Sequence, residues 1–370
     1  MKTGDKELKD NNHIWTVIMA GGLGSRFWPV TGAESPKQFI DVMGTGRSML
    51  QSTYRRYAQF CGEDHVVVVT GETYVGRVRE QLPGLEDWQV VGEPLRRNTA
   101  PCVAYAAAVI ARRDPEATLV VTPSDLAIFR EENFFADLRQ AVATVQEHDW
   151  IITLGAQPTR PETSYGYIQF REQSSLPKSK NLHEVVTFTE KPPVEMARQF
   201  IASGEFFWNA GIFVWTLPVL RKAYEVFLPA IAEAFLRPSL EELRGGLEEV
   251  YSQCETISVD NGIMEKADNV HVLAASFGWS DVETWDSLYD VSPRDCDGNA
   301  VLSGNVFTYD TRDTLVVMPD DPTKTVVLEG LDGYIVAASD DTLMVCRRKN
   351  EEQIFRFAND VELKRLIDKK

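Results

Sequence analysis

A glycine-rich turn near the amino terminus carries the first residues that could do chemistry. A strand-like run at 14–20 leads directly into GGLG at 21–24, and the cations Arg26 and Lys37 follow. Glycines let a backbone approach a phosphate closely, and consecutive N–H groups form an anion-binding nest. A dinucleotide fingerprint would need glycine at Phe27, and the P-loop pattern has no match. The spacing predicts another kind of phosphate-binding loop, with a solvated loop as the alternative.

Two carboxylates could bind a cation beside that phosphate. Asp125 follows a strand-like run at 117–122, and Asp281 stands between tryptophans in WSDVETW. Ligands of open α/β sheets bind outside the carboxyl ends of the strands, so we expect Asp125 near the glycine turn. Magnesium takes one or two carboxylates together with phosphate oxygens. The alternative is that each aspartate only caps a local turn.

Three further segments combine amides, carboxylates or ammonium groups with aromatic or small residues. They are TEKPP at 189–193, FWNAGIF at 207–213 and SVDNGIMEK at 258–266. Sugar hydroxyls need paired donors and acceptors, and an anomeric phosphate needs a cation such as lysine. Together the segments predict a sugar-phosphate pocket, although each alone is more typical of a turn or a strand end.

The elements that must position these residues alternate along the first 155 residues. Strand-like runs at 14–20, 65–70, 117–122 and 150–155 are separated by helical segments at 48–61, 72–82, 98–113 and 133–147, the third capped by Asn98. This alternation predicts an α/β fold with a mostly parallel sheet covered by helices. From about residue 156 the pattern becomes irregular, with a polar loop expected at 171–180.

The sequence pattern changes again after about residue 290. Short apolar runs separated by Gly and Asp predict an all-β module that ends in a charged helix over 351–369. Their spacing fits a small β-solenoid or an open sheet. We therefore expect a catalytic domain over residues 1–290 and a β-rich domain over 291–370, which could close over the sugar site or form a homodimer contact.

Composition excludes several classes of protein. The 370 residues include 38 lysines and arginines against 55 aspartates and glutamates, a net charge of −17 that would repel nucleic acid. No apolar run reaches the roughly 18 residues of a membrane span. The charged N-terminal segment lacks the apolar core of a secretory signal, so we expect a cytoplasmic protein that binds neither nucleic acid nor membrane. Five scattered cysteines favour reduced thiols over a zinc or disulfide framework.

Taken in order, these segments resemble the mannose-1-phosphate guanylyltransferases, or GDP-mannose pyrophosphorylases, of the sugar-nucleotidyltransferase superfamily. The matching stretches are GGLGSRFWPVT with PKQF, RRNTAP, TPSD, PETSYGYI, TEKP, FWNAGIF, SVDNGIMEK and WSDVETW, between residues 21 and 285. The resemblance implies a Rossmann-like nucleotidyltransferase (GT-A-like) fold with a mixed, mostly parallel sheet and a small C-terminal β-rich domain, a partial left-handed β-helix. Because the sequence ends at residue 370, we expect no fused phosphomannose isomerase domain.

The resemblance also implies roles at the matching positions. Gly21, Gly22 and Gly24 would approach the nucleotide, and Arg26 and Lys37 would neutralise its triphosphate.

Further roles concern the base, the metal and the sugar. Asn98 and Thr99 would lie near the base, while Asp125 and Asp281 would hold Mg²⁺. The sugar-phosphate pocket would be lined by Gly166, Glu190, Lys191, Asn209 and Asp260. The catalytic set would comprise Arg26, Lys37, Asp125, Lys191 and Asp281. Three positions depart from the family pattern: Leu126 replaces a common His, Asn261-Gly262 replaces Tyr-Ala, and Glu283 replaces Gly.

The expected reaction joins GTP and mannose 1-phosphate to give GDP-mannose and pyrophosphate. One alternative keeps this chemistry with another sugar 1-phosphate, or with ATP or UTP. A different class of alternative is a non-catalytic sensor that binds a sugar nucleotide. An NAD-dependent dehydrogenase is disfavoured because the dinucleotide fingerprint fails.

Overall fold

The computed structural model describes residues 13–22, 25–32, 35–176, 179–319, 321 and 323–368, which group into two compact units. Within this described part, the first unit contains residues 13–21, 53–124 and 128–279. The second contains residues from 22–52, 125–127 and 280–368. The expected domain boundary between residues 290 and 291 stays a prediction.

The strands follow the chain order β1 to β17. They are β1 Ile14–Ala20, β2 Val66–Gly71, β3 Val90–Glu93, β4 Thr118–Pro123, β5 Ala127–Ile128, β6 Ile151–Ala156, β7 Tyr167–Leu176, β8 Ser179–Thr189, β9 Phe206–Thr216, β10 Val270–Ala274, β11 Trp279–Ser280, β12 Ala300–Ser303, β13 Asn305–Tyr309, β14 Leu315–Val317, β15 Thr325–Glu329, β16 Tyr334–Ala338 and β17 Leu343–Arg347.

The α-helices are numbered in the same way. They are α1 Met49–Cys61, α2 Val75–Gln81, α3 Thr99–Ala111, α4 Glu131–Glu147, α5 Val194–Ser203, α6 Leu217–Phe227, α7 Pro229–Ile231, α8 Leu240–Gly245, α9 Leu247–Gln253, α10 Trp285–Val291 and α11 Ile354–Asp368. No helix among the described residues is both long and apolar enough to cross a bilayer.

The first unit is built on one sheet of order β3-β2-β1-β4-β9-β6-β10-β8-β7. Strands β1, β2, β3 and β4 pair in parallel, as do β6 and β10, whereas β9 runs antiparallel to β4 and β6. Since β8 is also antiparallel to its neighbours, β8 and β9 oppose the direction of the other strands. The expected α/β fold with a mixed sheet is therefore confirmed.

The four strand-like runs expected before residue 156 correspond to β1, β2, β4 and β6. The loop expected at 171–180 is wrong, because its described residues belong to the end of β7 and the start of β8. These two strands form an antiparallel pair with exposed polar residues such as Arg171 and Glu172. An antiparallel pair with a solvated face does not need the apolar composition of a buried strand.

Burial explains why the central strands have such apolar sequences. Strands β1, β2 and β4 are buried along almost their whole length, as expected for parallel strands covered on both faces. The alanine-rich helix α3 is likewise buried on nearly all sides. The Tyr224 hydroxyl donates a hydrogen bond of 2.8 Å to the Ala100 carbonyl, which fixes the first turn of α3.

The second unit contains a four-stranded sheet, β12-β14-β16-β17, and the separate pair β13-β15. Parallel partners recur along the chain: Ala300 is paired with Leu315, and Leu315 with Ile335. Phe27, from the segment after the glycine turn, lies in the same buried cluster as Leu315, Ile335 and Ile354. The glycine-turn segment is thus packed against the C-terminal strands.

Candidate active site

Lys37 organises the predicted metal and phosphate residues of the second unit. Its side chain is 5% exposed, and Nζ lies 2.8 Å from Asp125 Oδ2. The same ammonium donates hydrogen bonds to the carbonyls of Asp281 at 2.6 Å and Val282 at 3.1 Å. Asp125 and Asp281, which are far apart in the sequence, therefore lie around one positive charge.

Arg26, the other cation expected at the triphosphate, has different surroundings. Its side chain is 56% exposed and forms an ion pair with Glu283, one of the residues that depart from the family pattern. Unlike Lys37, this guanidinium lies open to solvent. An incoming phosphate would compete with a surface carboxylate for it.

The glycine turn is only partly described. A Cβ atom at Gly21 or Gly22 would meet no heavy atom of the described residues within 4 Å, and Gly22 itself is exposed. The Gln38 amide donates a 3.0 Å hydrogen bond to the Gly22 carbonyl. Gly24 lies outside the described residues.

Several backbone positions near the predicted site residues are unusual. Among the described non-glycine residues with positive φ are Asn98 at 68°, Lys191 at 47° and Val282 at 44°. Val282 is fully buried and follows Asp281 directly. A β-branched residue in the left-handed region is strained, and such strain persists only where the surrounding structure holds it in place.

Asn209 is the centre of the predicted sugar-phosphate residues in the first unit. Its amide Nδ2 donates to Asp260 Oδ1 at 2.8 Å, and its Oδ1 accepts from the Thr153 hydroxyl at 3.1 Å. Its backbone N–H donates to the Gly166 carbonyl at 2.8 Å. Through Asn209, strand β9 thus contacts Thr153, Gly166 and Asp260. Thr153 was missed because a threonine inside a buried strand gives no signal of its own.

Gly166 lies in close contact with two of the other predicted residues. A Cβ atom there would lie 2.7 Å from Glu190 Oε2 and 3.4 Å from Asn209 Cβ. The neighbouring Lys191 is held by a backbone hydrogen bond of 3.2 Å to the Tyr165 carbonyl, and its ammonium lies 3.1 Å from Glu190 Oε1. The structure therefore brings all five residues predicted for the sugar phosphate into one group.

The negative charges of this group favour a proton shared by the carboxylates, a bound cation or an incoming hydrogen-bond donor. Burial raises the pKa of Asp260 to about 6, and the negative charge of Glu190 acts in the same direction. The Asn209 amide and the Lys191 ammonium partly oppose this rise. A hydroxyl donor placed between the carboxylates would be stabilised there.

The segment predicted to lie near the base is anchored beside Asp260. Asn98 caps α3, as expected, because its Oδ1 accepts the Thr99 N–H at 2.8 Å. The Thr99 hydroxyl in turn accepts the Val259 N–H at 2.9 Å. Thr99 is the first residue of α3 and Val259 directly precedes the helical turn Asp260–Met264, so this hydrogen bond joins the two elements.

The Asn261-Gly262 departure has a structural explanation. Asn261 donates to Glu265 Oε1 at 2.8 Å within its own helical turn. A Cβ atom at Gly262 would lie 2.9 Å from Leu228 Cδ1, so glycine makes room for that leucine. Asn261 thus makes a local hydrogen bond, and Gly262 leaves space for Leu228.

Asp125 and Asp281 offer a small set of oxygen donors. In the described part of the chain, no three His, Cys, Asp or Glu residues cluster as a complete metal site. Two carboxylates supplemented by phosphate oxygens are the kind of donor set that magnesium uses. The residues present fit a metal that arrives with a nucleotide.

Fold and site together define a nucleotidyltransferase, and the chain belongs to the Nucleotidyl transferase family, whose sequence profile matches residues 15–298. It is 34% identical to the mannose-1-phosphate guanylyltransferase of Sinorhizobium fredii (strain NBRC 101917 / NGR234), over 96% of this chain and 69% of that protein. It is 33% identical to the enzyme of that name from Escherichia coli (strain K12), over 94% of this chain and 73% of that protein.

A solved structure extends this similarity to the fold. The crystal structure described as mannose-1-phosphate geranyltransferase from Thermus thermophilus has a TM-score of 0.83 and 29% identity. The match covers 95% of this chain and 99% of that one. The resemblance predicted from the sequence motifs is confirmed.

Proposed function

We propose that the protein transfers a guanylyl group from GTP to mannose 1-phosphate, producing GDP-mannose and pyrophosphate. The observation that carries this proposal is the grouping of Glu190, Asn209 and Asp260 beside Gly166. Carboxylate and amide oxygens pair with sugar hydroxyls, and Lys191 supplies a cation for the sugar phosphate. The relatives named for this reaction support the choice of mannose and guanine.

The chemistry requires positioning more than proton transfer. A phosphate oxygen of the sugar substrate attacks the α-phosphorus of GTP, and the bond from that phosphorus to the departing pyrophosphate oxygen breaks. The attacking oxygen is already ionised near neutral pH, so no general base is needed. The chain binds and orients the two anions, with Arg26 offsetting charge on the nucleotide and Lys191 offsetting charge on the sugar phosphate.

We also propose that Asp125 and Asp281 hold Mg²⁺. When bound, the metal would neutralise charge on the phosphate oxygens. The support is that Lys37 contacts the Asp125 carboxylate and the backbone carbonyl of Asp281, and that both side chains offer only oxygen donors. The two aspartates themselves bind and orient; neither has to exchange a proton.

For the C-terminal region we infer a partial left-handed β-helix in a domain over 291–370, following a catalytic domain over 1–290. The successive parallel pairing of β12, β14 and β16 supports the coiled arrangement. We further propose a cytoplasmic homodimer. The free cysteines Cys61 and Cys102 fit a reducing compartment, and exposed apolar residues on α11 support the dimer.

Pyrophosphate release tests the proposed reaction. The purified protein with magnesium is assayed with GTP, ATP and UTP against mannose, glucose and fucose 1-phosphates, and each pair is repeated with EDTA. Release confined to GTP with mannose 1-phosphate and abolished by EDTA is the expected result. Release with another pair would change the assigned substrates. No release by a folded protein would favour a sugar-nucleotide sensor.

A further inference from the structure

The ion pair between Arg26 and Glu283 involves the exposed cation that is predicted for the triphosphate. Arg26 Nη1 donates a hydrogen bond to Glu283 Oε2. The two side chains are 56% and 35% exposed, so a ligand in solution can reach both of them. A guanidinium binds carboxylates and phosphates through the same N–H donors. The Glu283 carboxylate therefore occupies a donor that a phosphate would need.

Buried neighbours hold the two partners of this ion pair close together. Phe27, the residue after Arg26, is fully buried and packs edge-to-face against Trp285, two residues after Glu283. The two ring centroids lie 5.0 Å apart. Val282, directly before Glu283, is fully buried as well. The backbone is thus anchored beside both charged residues, which lowers the entropic cost of pairing two side chains at a surface.

We infer that Glu283 competes with the phosphates of the nucleotide for Arg26 and thereby sets the affinity of the protein for the triphosphate. An interaction that must break before a ligand binds lowers the apparent affinity for that ligand. This inference deepens the proposed function and rests on it for the role of Arg26. Glu283 is one of the three departures from the family pattern, and the competition gives this residue a function.

Removal of the Glu283 charge tests the competition. Binding of inorganic triphosphate and of GTP to the full-length protein is measured by calorimetry in EDTA, so that a metal cannot contribute. Glu283→Gln keeps the size of the side chain and should lower the Kd for both ligands by about threefold to fivefold, because exposed ion pairs are weak. Glu329→Gln removes an exposed charge elsewhere in the second unit and should change the Kd less than twofold.

A double-mutant cycle separates competition for Arg26 from general repulsion between the carboxylate and the phosphates. Arg26→Met should raise the Kd for triphosphate at least fivefold, and adding Glu283→Gln to that variant should then change the Kd less than twofold. An equal gain with and without Arg26 would overturn the inference, as would a Kd that Glu283→Gln changes less than twofold or that Arg26→Met leaves unchanged.

The triphosphate probe also keeps this test separate from the proposed reaction. Inorganic triphosphate has neither a base nor a sugar, so its binding does not depend on the assignment of guanine or mannose. A wrong assignment of either substrate would appear only in the pyrophosphate assay.

Discussion

At the scale of single residues, Asp281 is expected to affect turnover far more than folding. Lys37 binds the Asp281 carbonyl, which an alanine retains. Asp281→Ala should therefore fold normally. A metal contribution of several kcal/mol corresponds to a loss of roughly a thousandfold in kcat. Pyrophosphate release and thermal unfolding measure the two effects, with the exposed Asp290→Ala as the control. More than a tenth of the wild-type rate would remove Asp281 from the essential ligands.

Asp260 predicts a pH dependence of stability. Its pKa is raised from 3.8 to about 6 by burial and by Glu190. A raised folded-state pKa contributes stability that is fully present below pH 3.8 and is lost as the pH rises through about 6. Asp260→Asn should accordingly increase the free energy of unfolding at pH 8 by about 1–2 kcal/mol, and much less at pH 4.

Urea denaturation at the two pH values checks this expectation, with Asp290→Asn as a matched exposed control. Equal effects of Asp260→Asn at pH 8 and pH 4 would contradict a raised pKa. The variant should also weaken use of the sugar phosphate, because functional sites commonly retain groups that reduce stability.

Some residues of the site were predictable from the sequence, and the contacts of others were not. Side chains that bond to one another, such as Asn209 and Asp260, were predicted as one pocket and are brought together. The triphosphate role of Lys37 stays a prediction, but the contacts that its ammonium makes were not predictable. Its surroundings depend on two backbone carbonyls from a distant segment, and backbone carbonyls have no sequence signature.

At the scale of secondary structure, the start of α3 combines a cap with an uncommon backbone conformation. Asn98 has φ 68° and ψ −170°, a region that favours glycine. Asn98→Ala should cost about 1–2 kcal/mol, because it loses the cap and keeps the strain. Asn98→Gly should lie within a few tenths of a kcal/mol of wild type, since glycine adopts this conformation freely.

Urea denaturation compares the stability of the wild type, Asn98→Ala and Asn98→Gly. The KM for GTP tests whether Asn98 contacts the base. A raised KM for Asn98→Gly at wild-type stability would show that the amide contacts the nucleotide. Equal stability of the alanine and glycine variants would contradict the argument from φ.

Strands with long apolar runs were predictable from the sequence. Strands whose place depends on pairing with distant partners were not. Strands β1, β2, β4 and β6 carry apolar runs because both faces are buried. The hairpin of β7 and β8 has a polar sequence and was expected to be irregular in part. Nothing local indicated that β9 would insert between β4 and β6, because insertion depends on partners elsewhere in the chain.

At the scale of the whole molecule, α11 predicts self-association. Leu363, Leu366 and Ile367 are each at least 60% exposed, although Ile354 of the same helix is buried. Large apolar side chains grouped on one helix commonly mark an interaction site. Sedimentation should show a dimer for the wild type and a monomer for the double variant Leu363→Glu/Leu366→Glu. Lys364→Glu on the same helix is the control, and a monomeric wild type would contradict the homodimer.

The arrangement of the second unit has a consequence for synthesis on the ribosome. Phe27 belongs to a core that also contains Ile354, so the segment after the glycine turn emerges early and cannot complete its packing until residue 354 has been made. At about 5–20 residues per second this delay is on the order of half a minute. Phe27 passes that interval without its complete set of packing partners, and chaperones that shield exposed aromatic residues can act on it then.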